Sequence, residues 1–195
     1  MLHRCWNLCG STGGKASGAA FAGGTIEGKV TARPAKYTAG TVVYLKEVPG
    51  SHPPPREPVV MDQKGMKFVP HVLPIVRGTR VRFVNSDTVR HNVFSPDGEK
   101  YDLGTWPTGE SREYLFKQLG VYTQLCNVHP EMEAFVVVLQ NPYFAVTAED
   151  GRYKIDGVPP GKYTLSVWNE KLKGDDQPVE VQEGKAVTAN FTLKR

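Results

Sequence analysis

The sequence has no long apolar segment and little excess charge of either sign. None of its apolar runs approaches the roughly 18 consecutive residues of a membrane helix, so we predict no membrane span. The formal net charge of +4 comes from 24 basic and 20 acidic residues whose signs are mixed along the chain. This balance gives little support to a nucleic-acid partner, although the mild basic excess would favour an acidic protein partner.

Cysteine is also scarce, with three in 195 residues, of which Cys5 and Cys9 lie near the N-terminus. Residues 1–24 are rich in Gly, Ala and Ser and match no helix or strand pattern, so we interpret them as a disordered tail or the remnant of an export signal. Ala20-Phe21-Ala22 resembles the residues before a secretory cleavage site, but the stretch before it is too polar for a good signal core. We interpret the two cysteines as an incidental pair. A local disulfide, a metal clip and, at Cys9, lipid attachment are the alternatives.

Short Val-, Thr- and Tyr-rich runs, separated by many of the 20 Gly and 15 Pro, predict an all-β protein. Residues 25–31 and 41–45 predict a first hairpin, and the proline-rich residues 49–58 predict an extended linker, because proline cannot donate to a sheet. About eight short strands between residues 59 and 139 are typical of a β-sandwich or barrel. A third group of strands follows and ends in a predicted hairpin around Gly184.

Four side chains have the chemistry of a metal site. Cys126, His129 and Met132 lie within seven residues, and His91 occupies a separate strand-like segment. One thiolate, two imidazoles and a thioether form the ligand set of a trigonal copper site with a weak axial methionine. The sulfur ligands suit Cu(I) and the imidazoles bind both oxidation states. We therefore predict that these four residues bind one copper ion per chain through a one-electron cycle.

Several neighbouring side chains offer alternatives. Glu131 or Glu133 could replace the methionine as axial ligand, which would give a red rather than a blue copper site. Zinc is a weaker alternative, because it normally takes a fourth Cys, His or carboxylate rather than a thioether. We interpret His71 as structural, His52 as solvated within the proline run, and Trp106 as packing near the site.

Residues 59–140 resemble the cupredoxins, the blue copper proteins, and the short Cys-to-His-to-Met spacing is most similar to amicyanin. The residues that carry the resemblance are Phe68-x-Pro70, Gly78-Thr79-x-Val81-x-Phe83-x-Asn85-x-Asp87, His91-Asn92-Val93 and Cys126-x-x-His129-x-x-Met132. The resemblance implies a Greek-key β-sandwich in which the side chain of Asn92 ties the two ligand loops together. It also implies that His129 is the ligand nearest to solvent, where electrons enter and leave. Val128, Pro130 and Phe135 are candidates for an apolar patch around it.

Residues 142–195 resemble the carboxypeptidase regulatory-like, transthyretin-like β-sandwich. The residues that carry this resemblance are Thr147 to Ile155, with an Asp-Gly turn, and Val158-Pro159-Pro160-Gly161-Lys162-Tyr163-Thr164-Leu165. That family opens with a Gly-x-Val hairpin, which residues 25–58 supply. We therefore predict a transthyretin-like sandwich of residues 25–58 and 142–195 with a cupredoxin, residues 59–141, inserted in it; a simple tandem order is the alternative. Methylamine-utilisation-like cupredoxins have a similar order.

These resemblances imply a periplasmic or extracytoplasmic electron carrier rather than an enzyme, with a redox partner such as a cytochrome or a copper or quinone enzyme. A copper carrier or storage protein would use the same ligands, with extra sites at His3, Cys5, Cys9 and His52. A single-copper reductase or oxidase would need an open coordination position, which Met132 would occupy.

Overall fold

The computed structural model describes residues 23–195, and within that range the chain is all-β, as predicted. The predicted tail, with His3, Cys5 and Cys9, lies outside the described residues. The described residues contain one short 3₁₀ helix, Ala35–Tyr37, and seventeen strands. The strands are β1 (Gly24–Ala32), β2 (Val42–Leu45), β3 (Val59–Gln63), β4 (Phe68–Val69), β5 (Val72–Val76), β6 (Arg80–Asn85), β7 (His91–Ser95), β8 (Tyr101–Trp106), β9 (Ser111–Leu115), β10 (Gly120–Leu125), β11 (Glu133–Leu139), β12 (Phe144–Val146), β13 (Arg152–Val158), β14 (Gly161–Trp168), β15 (Gln177–Val181), β16 (Ala186–Thr188) and β17 (Phe191–Leu193).

The first and last parts of the chain form one sandwich, here called the outer sandwich. One of its sheets has β1 at its centre, antiparallel to β13 and parallel to β16 and β17; the other has the order β12-β2-β14-β15. Residues of β1 alternate as a half-buried strand requires, with Ile26, Val30 and Ala32 buried and Glu27 and Lys29 exposed. The inward residues of both sheets meet in one apolar core, which includes Leu45, Tyr153, Ile155, Leu165, Val181 and Phe191.

A glycine lets the two C-terminal strands pass beside β1. The backbone N–H of Ala189, between β16 and β17, donates to the carbonyl of Glu27 at 2.9 Å. The hydroxyl of Tyr153 donates to the Ala189 carbonyl at 2.6 Å. A Cβ on Gly28 would lie 1.7 Å from that carbonyl oxygen, so only glycine fits this close approach.

The middle of the chain, β3 to β11, forms the inserted sandwich. One sheet has the order β5-β11-β10-β7-β8, in which β5 and β11 are parallel, and the other has the order β4-β3-β6-β9. Their facing side chains form a second apolar core, which includes Met61, Phe68, Phe83, Val93, Trp106, Phe116, Tyr122 and Val136. No strand of this group pairs with a strand of the outer sandwich among the described residues. This is the predicted fold class of a cupredoxin-like β-sandwich joined to a transthyretin-like one, while the exact bounds of the two units stay a prediction.

The chain enters and leaves the inserted sandwich along paired connections. The amide of Asn141 donates to the carbonyl of Leu45 at 2.8 Å. The amide of Gln140 both accepts from and donates to the backbone of Val48, at 3.1 Å in each case. The two crossings are therefore hydrogen-bonded side by side.

An apolar cluster also joins the two sandwiches. The ring centroids of Phe135, on β11, and Trp168, on β14, lie 5.2 Å apart. The buried members of this cluster are Val42, Val72, Phe135, Val137 and Leu139.

Both predicted hairpins of the outer sandwich are wrong. β1 and β2 lie in different sheets, because residues 33–41, with the 3₁₀ helix, carry the chain from one sheet to the other. The turn at Gly184 is present, but β15 pairs with β14 whereas β16 pairs with β1. β8 was not predicted at all: it is a largely exposed edge strand interrupted by Asp102 and Gly104, which are residue types that strands disfavour.

No helix of the described residues is long and apolar enough to cross a membrane.

The close approach at Gly28 yields a stability prediction. Gly28→Ala should lower the free energy of unfolding by about 1–3 kcal/mol, because the new methyl group must displace the backbone at Ala189. Urea unfolding followed by circular dichroism measures this change. Lys29→Ala, on the exposed face of the same strand, should change it by less than about 0.5 kcal/mol; equal midpoints for the two variants would contradict the predicted clash at Ala189.

Candidate metal centre

Adjacent strands bring the candidate ligands to one end of the five-stranded sheet. His91 is the first residue of β7, and Cys126 directly follows β10, which lies between β7 and β11. Leu125 is paired with Phe94 across the two strands. Since β10 is antiparallel to β11, residues 126–132 form a short connection between them at this same end of the sheet.

Three of the four predicted ligands converge. One donor atom each from His91, Cys126 and His129 lies within 4.8 Å of the others. The two Nδ1 atoms are 3.0 Å apart, and Sγ of Cys126 lies 4.0 Å from Nδ1 of His129. Two imidazole nitrogens that share one ion at about 2 Å each stand no more than about 4 Å apart. The observed separation therefore fits a shared ion.

A carboxylate fixes which nitrogen of His91 faces the other donors. Nε2 of the buried His91 lies 2.9 Å from Oδ2 of Asp87. Backbone N–H bonds from Met66 and Gly65, together with the bond to His91, hold the pKa of Asp87 below its ordinary value, so this carboxylate accepts and Nε2–H donates. Nδ1 of His91 then carries a lone pair toward the site, and the Nδ1–H of His129 donates to it when no ion is bound.

Asn92 links the cysteine strand to its neighbours. Its backbone N–H points to Sγ of Cys126 at 3.4 Å, and its side-chain oxygen accepts from the backbone N–H of Asn127 at 3.2 Å. Its amide nitrogen donates to Oδ1 of Asp102 at 2.7 Å and to the carbonyl of Gly104 at 2.9 Å. The predicted role of Asn92 as the tie between the ligand segments is confirmed.

Met132 points into the protein and its two acidic neighbours do not. Its backbone N–H donates to the carbonyl of His129 at 3.0 Å, which closes a turn, and its side chain is buried in the same apolar cluster as Cys126. Glu131 and Glu133 are exposed, and neither belongs to the group of converging donors. Of these three side chains, only that of Met132 is therefore buried with the cysteine.

His129 lies at the boundary with solvent. It is half-buried, while the other three candidate ligands are buried. Val128, with 47% of its surface exposed, and Pro130 flank it. Phe135 does not belong to this patch, because it is buried against Trp168 between the two sandwiches.

Two other sequence predictions have different outcomes. Trp106 is fully buried opposite His91 in the β7–β8 pair, so its packing role is confirmed. His52 is not solvated as predicted: it is half-buried, and its Nε2 lies 3.0 Å from the carbonyl of Val48.

No role was predicted for Asp87 from the sequence, although its carboxylate holds His91. The sequence feature that could have identified Asp87 is its position four residues before His91, in the Asn85-x-Asp87 pattern. The carbonyl oxygen of the Asn85 side chain accepts the backbone N–H of Asp87 at 2.9 Å, which orients the aspartate for this contact.

Comparison with known proteins finds one family model and a set of solved structures. Residues 130–194 match the family model of the carboxypeptidase regulatory-like domain. This match begins just before β11, which pairs within the inserted sandwich, and covers the C-terminal strands of the outer one. A search of the curated proteins finds no relative of this chain.

Three solved structures are similar to less than half of the chain. A novel purple cupredoxin from Nitrosopumilus maritimus is 27% identical over 41% of this chain and 98% of its own, with a TM-score of 0.39. An amicyanin mutant in its oxidized state is 26% identical over 42% of this chain and 81% of its own, with a TM-score of 0.40. The chain resembles a cupredoxin joined to a carboxypeptidase regulatory-like domain.

The third structure is an enzyme. The Cu-containing nitrite reductase from Thermus scotoductus SA-01 is 28% identical over 48% of this chain, with a TM-score of 0.41. This chain covers only 25% of that enzyme, so nothing follows about catalysis. All three TM-scores lie below 0.5, and the fold class of the cupredoxin-like part therefore rests on the strand order described above.

The contacts of Asn92 yield a prediction for the metal-free protein. Asn92→Ala should lower the free energy of unfolding by about 1–3 kcal/mol, because the buried Asn92 side chain makes three hydrogen bonds, two to β8 and one to the ligand loop, and all three are lost. Urea denaturation of the metal-free protein measures it. Asn127→Ala, which removes an exposed amide from the ligand loop, is the matched control. An equal loss of unfolding free energy in both variants would contradict the proposed tie.

Proposed function

We propose that this protein binds one copper ion as a mononuclear type 1 centre and carries single electrons. The observation that supports it most is the convergence of His91, Cys126 and His129, with donor atoms within 4.8 Å of one another. A thiolate with two imidazoles is a donor set that suits copper in both of its common oxidation states. We propose Met132 as the weak axial ligand, because it is the ligand loop's only thioether and is buried in the same apolar cluster as the cysteine.

The residues around the donors have distinct tasks. Bound copper would supply a one-electron couple between Cu(I) and Cu(II). Asp87 keeps the proton of His91 on Nε2, away from the ion. The N–H of Asn92 faces the cysteine sulfur and favours negative charge there. Burial of His91, Cys126 and Met132 excludes water, so the donors have little freedom to rearrange when the charge changes.

The half-buried edge of His129 is the proposed contact for a redox partner. Val128 and Pro130 expose apolar surface on either side of it, which suits a short-lived contact with another protein. We propose an electron-transfer protein or a copper or quinone enzyme as that partner, in a periplasmic or extracytoplasmic compartment. We propose a carrier rather than an enzyme, because the four donors would leave no open coordination position.

A copper titration tests the proposal directly. Adding Cu(II) to the metal-free protein should produce an intense visible thiolate-to-copper band that saturates at one ion per chain. Cys126→Ser should bind without this band, because the band requires the sulfur. A colourless complex of the unaltered protein would overturn the proposal.

The axial ligand can be tested separately. Met132→Gln should keep the visible band but lower the reduction potential, because an amide oxygen favours Cu(II) over Cu(I). A tenfold shift in that preference corresponds to about 59 mV for a one-electron couple. Glu131→Gln and Glu133→Gln are the matched controls and should leave the potential and the spectrum unchanged. A changed spectrum in either control would instead favour a carboxylate ligand and a red site.

A further inference from the structure

A groove opens at the surface beside the ligand loop. Its volume is about 500 Å³, and both sandwiches contribute to its walls. It is lined by Met66, Lys67, Phe68, His71, Glu131, Met132, Glu133, Glu170 and Lys171.

Met132 connects this groove to the buried donors. The residue lines the groove although only 1% of its surface is exposed, so it forms part of the floor. On its other side it belongs to the buried cluster that contains Cys126. An ion in the groove would therefore be separated from the metal centre by the side chain proposed as its axial ligand.

A second thioether is held in the groove wall. Met66 is half-buried and has a backbone φ of 59°, a left-handed conformation that non-glycine residues rarely adopt. Its N–H donates to Oδ2 of Asp87 at 2.9 Å, and the neighbouring N–H of Gly65 donates to Oδ1 at 2.8 Å. The carboxylate that orients His91 thus also fixes the backbone that carries the Met66 side chain.

The imidazole of His71 lies between two acceptors. Its Nδ1 lies 3.1 Å from the carbonyl oxygen of Glu133, and its Nε2 lies 3.1 Å from Oε2 of Glu170. A neutral imidazole has a single N–H and can donate to only one of them. The other nitrogen can bind a metal ion when the oxygen facing it moves aside, and the side chain of Glu170 is the partner that is free to do so.

We propose that this groove is a loading site at which Cu(I) binds before it passes to the buried centre. Thioether and imidazole donors suit Cu(I), and Met66 and His71 supply them at the surface. Three glutamates outnumber two lysines along the walls, which favours a cation. Met132 supplies the next soft donor between the groove and the buried centre. The inference rests on the proposed copper function, because it needs a buried site to load.

Uptake kinetics test the loading site. The probe is the Cu(I) complex of bicinchoninate, mixed with metal-free protein without oxygen, and the loss of its colour measures transfer. The double variant Met66→Leu/His71→Gln should take up Cu(I) at least about tenfold more slowly, the scale of effect that loss of a partner has at metal sites. The control Met61→Leu/His52→Gln changes the same residue types outside the groove and should keep the original rate.

A second measurement isolates the groove from the buried centre. In Cys126→Ser/His129→Gln, which removes two of the three converging donors of the buried centre, one weakly bound Cu(I) should remain per chain and should disappear when Met66→Leu/His71→Gln is added. Equal uptake rates and equal stoichiometry with and without the groove substitutions would overturn the proposal. If the unaltered protein never develops the visible Cu(II) band, the proposed function itself fails, and that outcome is read from a separate titration.

Discussion

The carboxylate of Asp87 accepts hydrogen bonds from two backbone N–H groups of the β3–β4 turn and from the imidazole of His91. Its negative charge sets the tautomer of the histidine, and it holds the turn that carries Met66. The side-chain oxygen of Asn85 in turn accepts the backbone N–H of Asp87 and so orients the aspartate. The geometry of the candidate metal centre and of the groove beside it both depend on this half-buried carboxylate, because neither His91 nor Met66 has another charged partner among the described residues.

The outer sandwich adds to the site by its position. It contributes Glu170 and Lys171 to the groove, and Trp168 packs on the β11 strand that follows the ligand loop. The apolar cluster between the sandwiches holds that strand from the side opposite to the inserted core. A domain with no ligand of its own can therefore shape the access to a metal centre in its neighbour.

Local patterns in the sequence predicted the features that depend on neighbouring residues. Alternation in β1, and valine-rich runs such as β11, were enough to predict strands and the all-β class. The spacing of Cys126, His129 and Met132 predicted a ligand loop, and the structure brings His91 to it, although metal binding itself stays a prediction. Sheet membership was not predictable in the same way: β1 and β2 look like a hairpin locally, but each pairs with strands more than 100 residues away. The role of His71 depends on Glu133 and Glu170, which are distant in sequence, so no local pattern identified it. Asp87, in contrast, lies only four residues before His91, and its role was missed although a local pattern was present.

The paired crossings at Leu45–Val48 and Gln140–Asn141 have a consequence for evolution. A unit whose two ends emerge next to each other can be added to a host by joining at a single point, since the host strands on either side need not move apart. The host strands on the two sides of the insertion, although distant in sequence, then pair as they would if a short loop joined them. A protein built this way can exchange its guest, and with it its chemistry, without redesigning the scaffold that presents it.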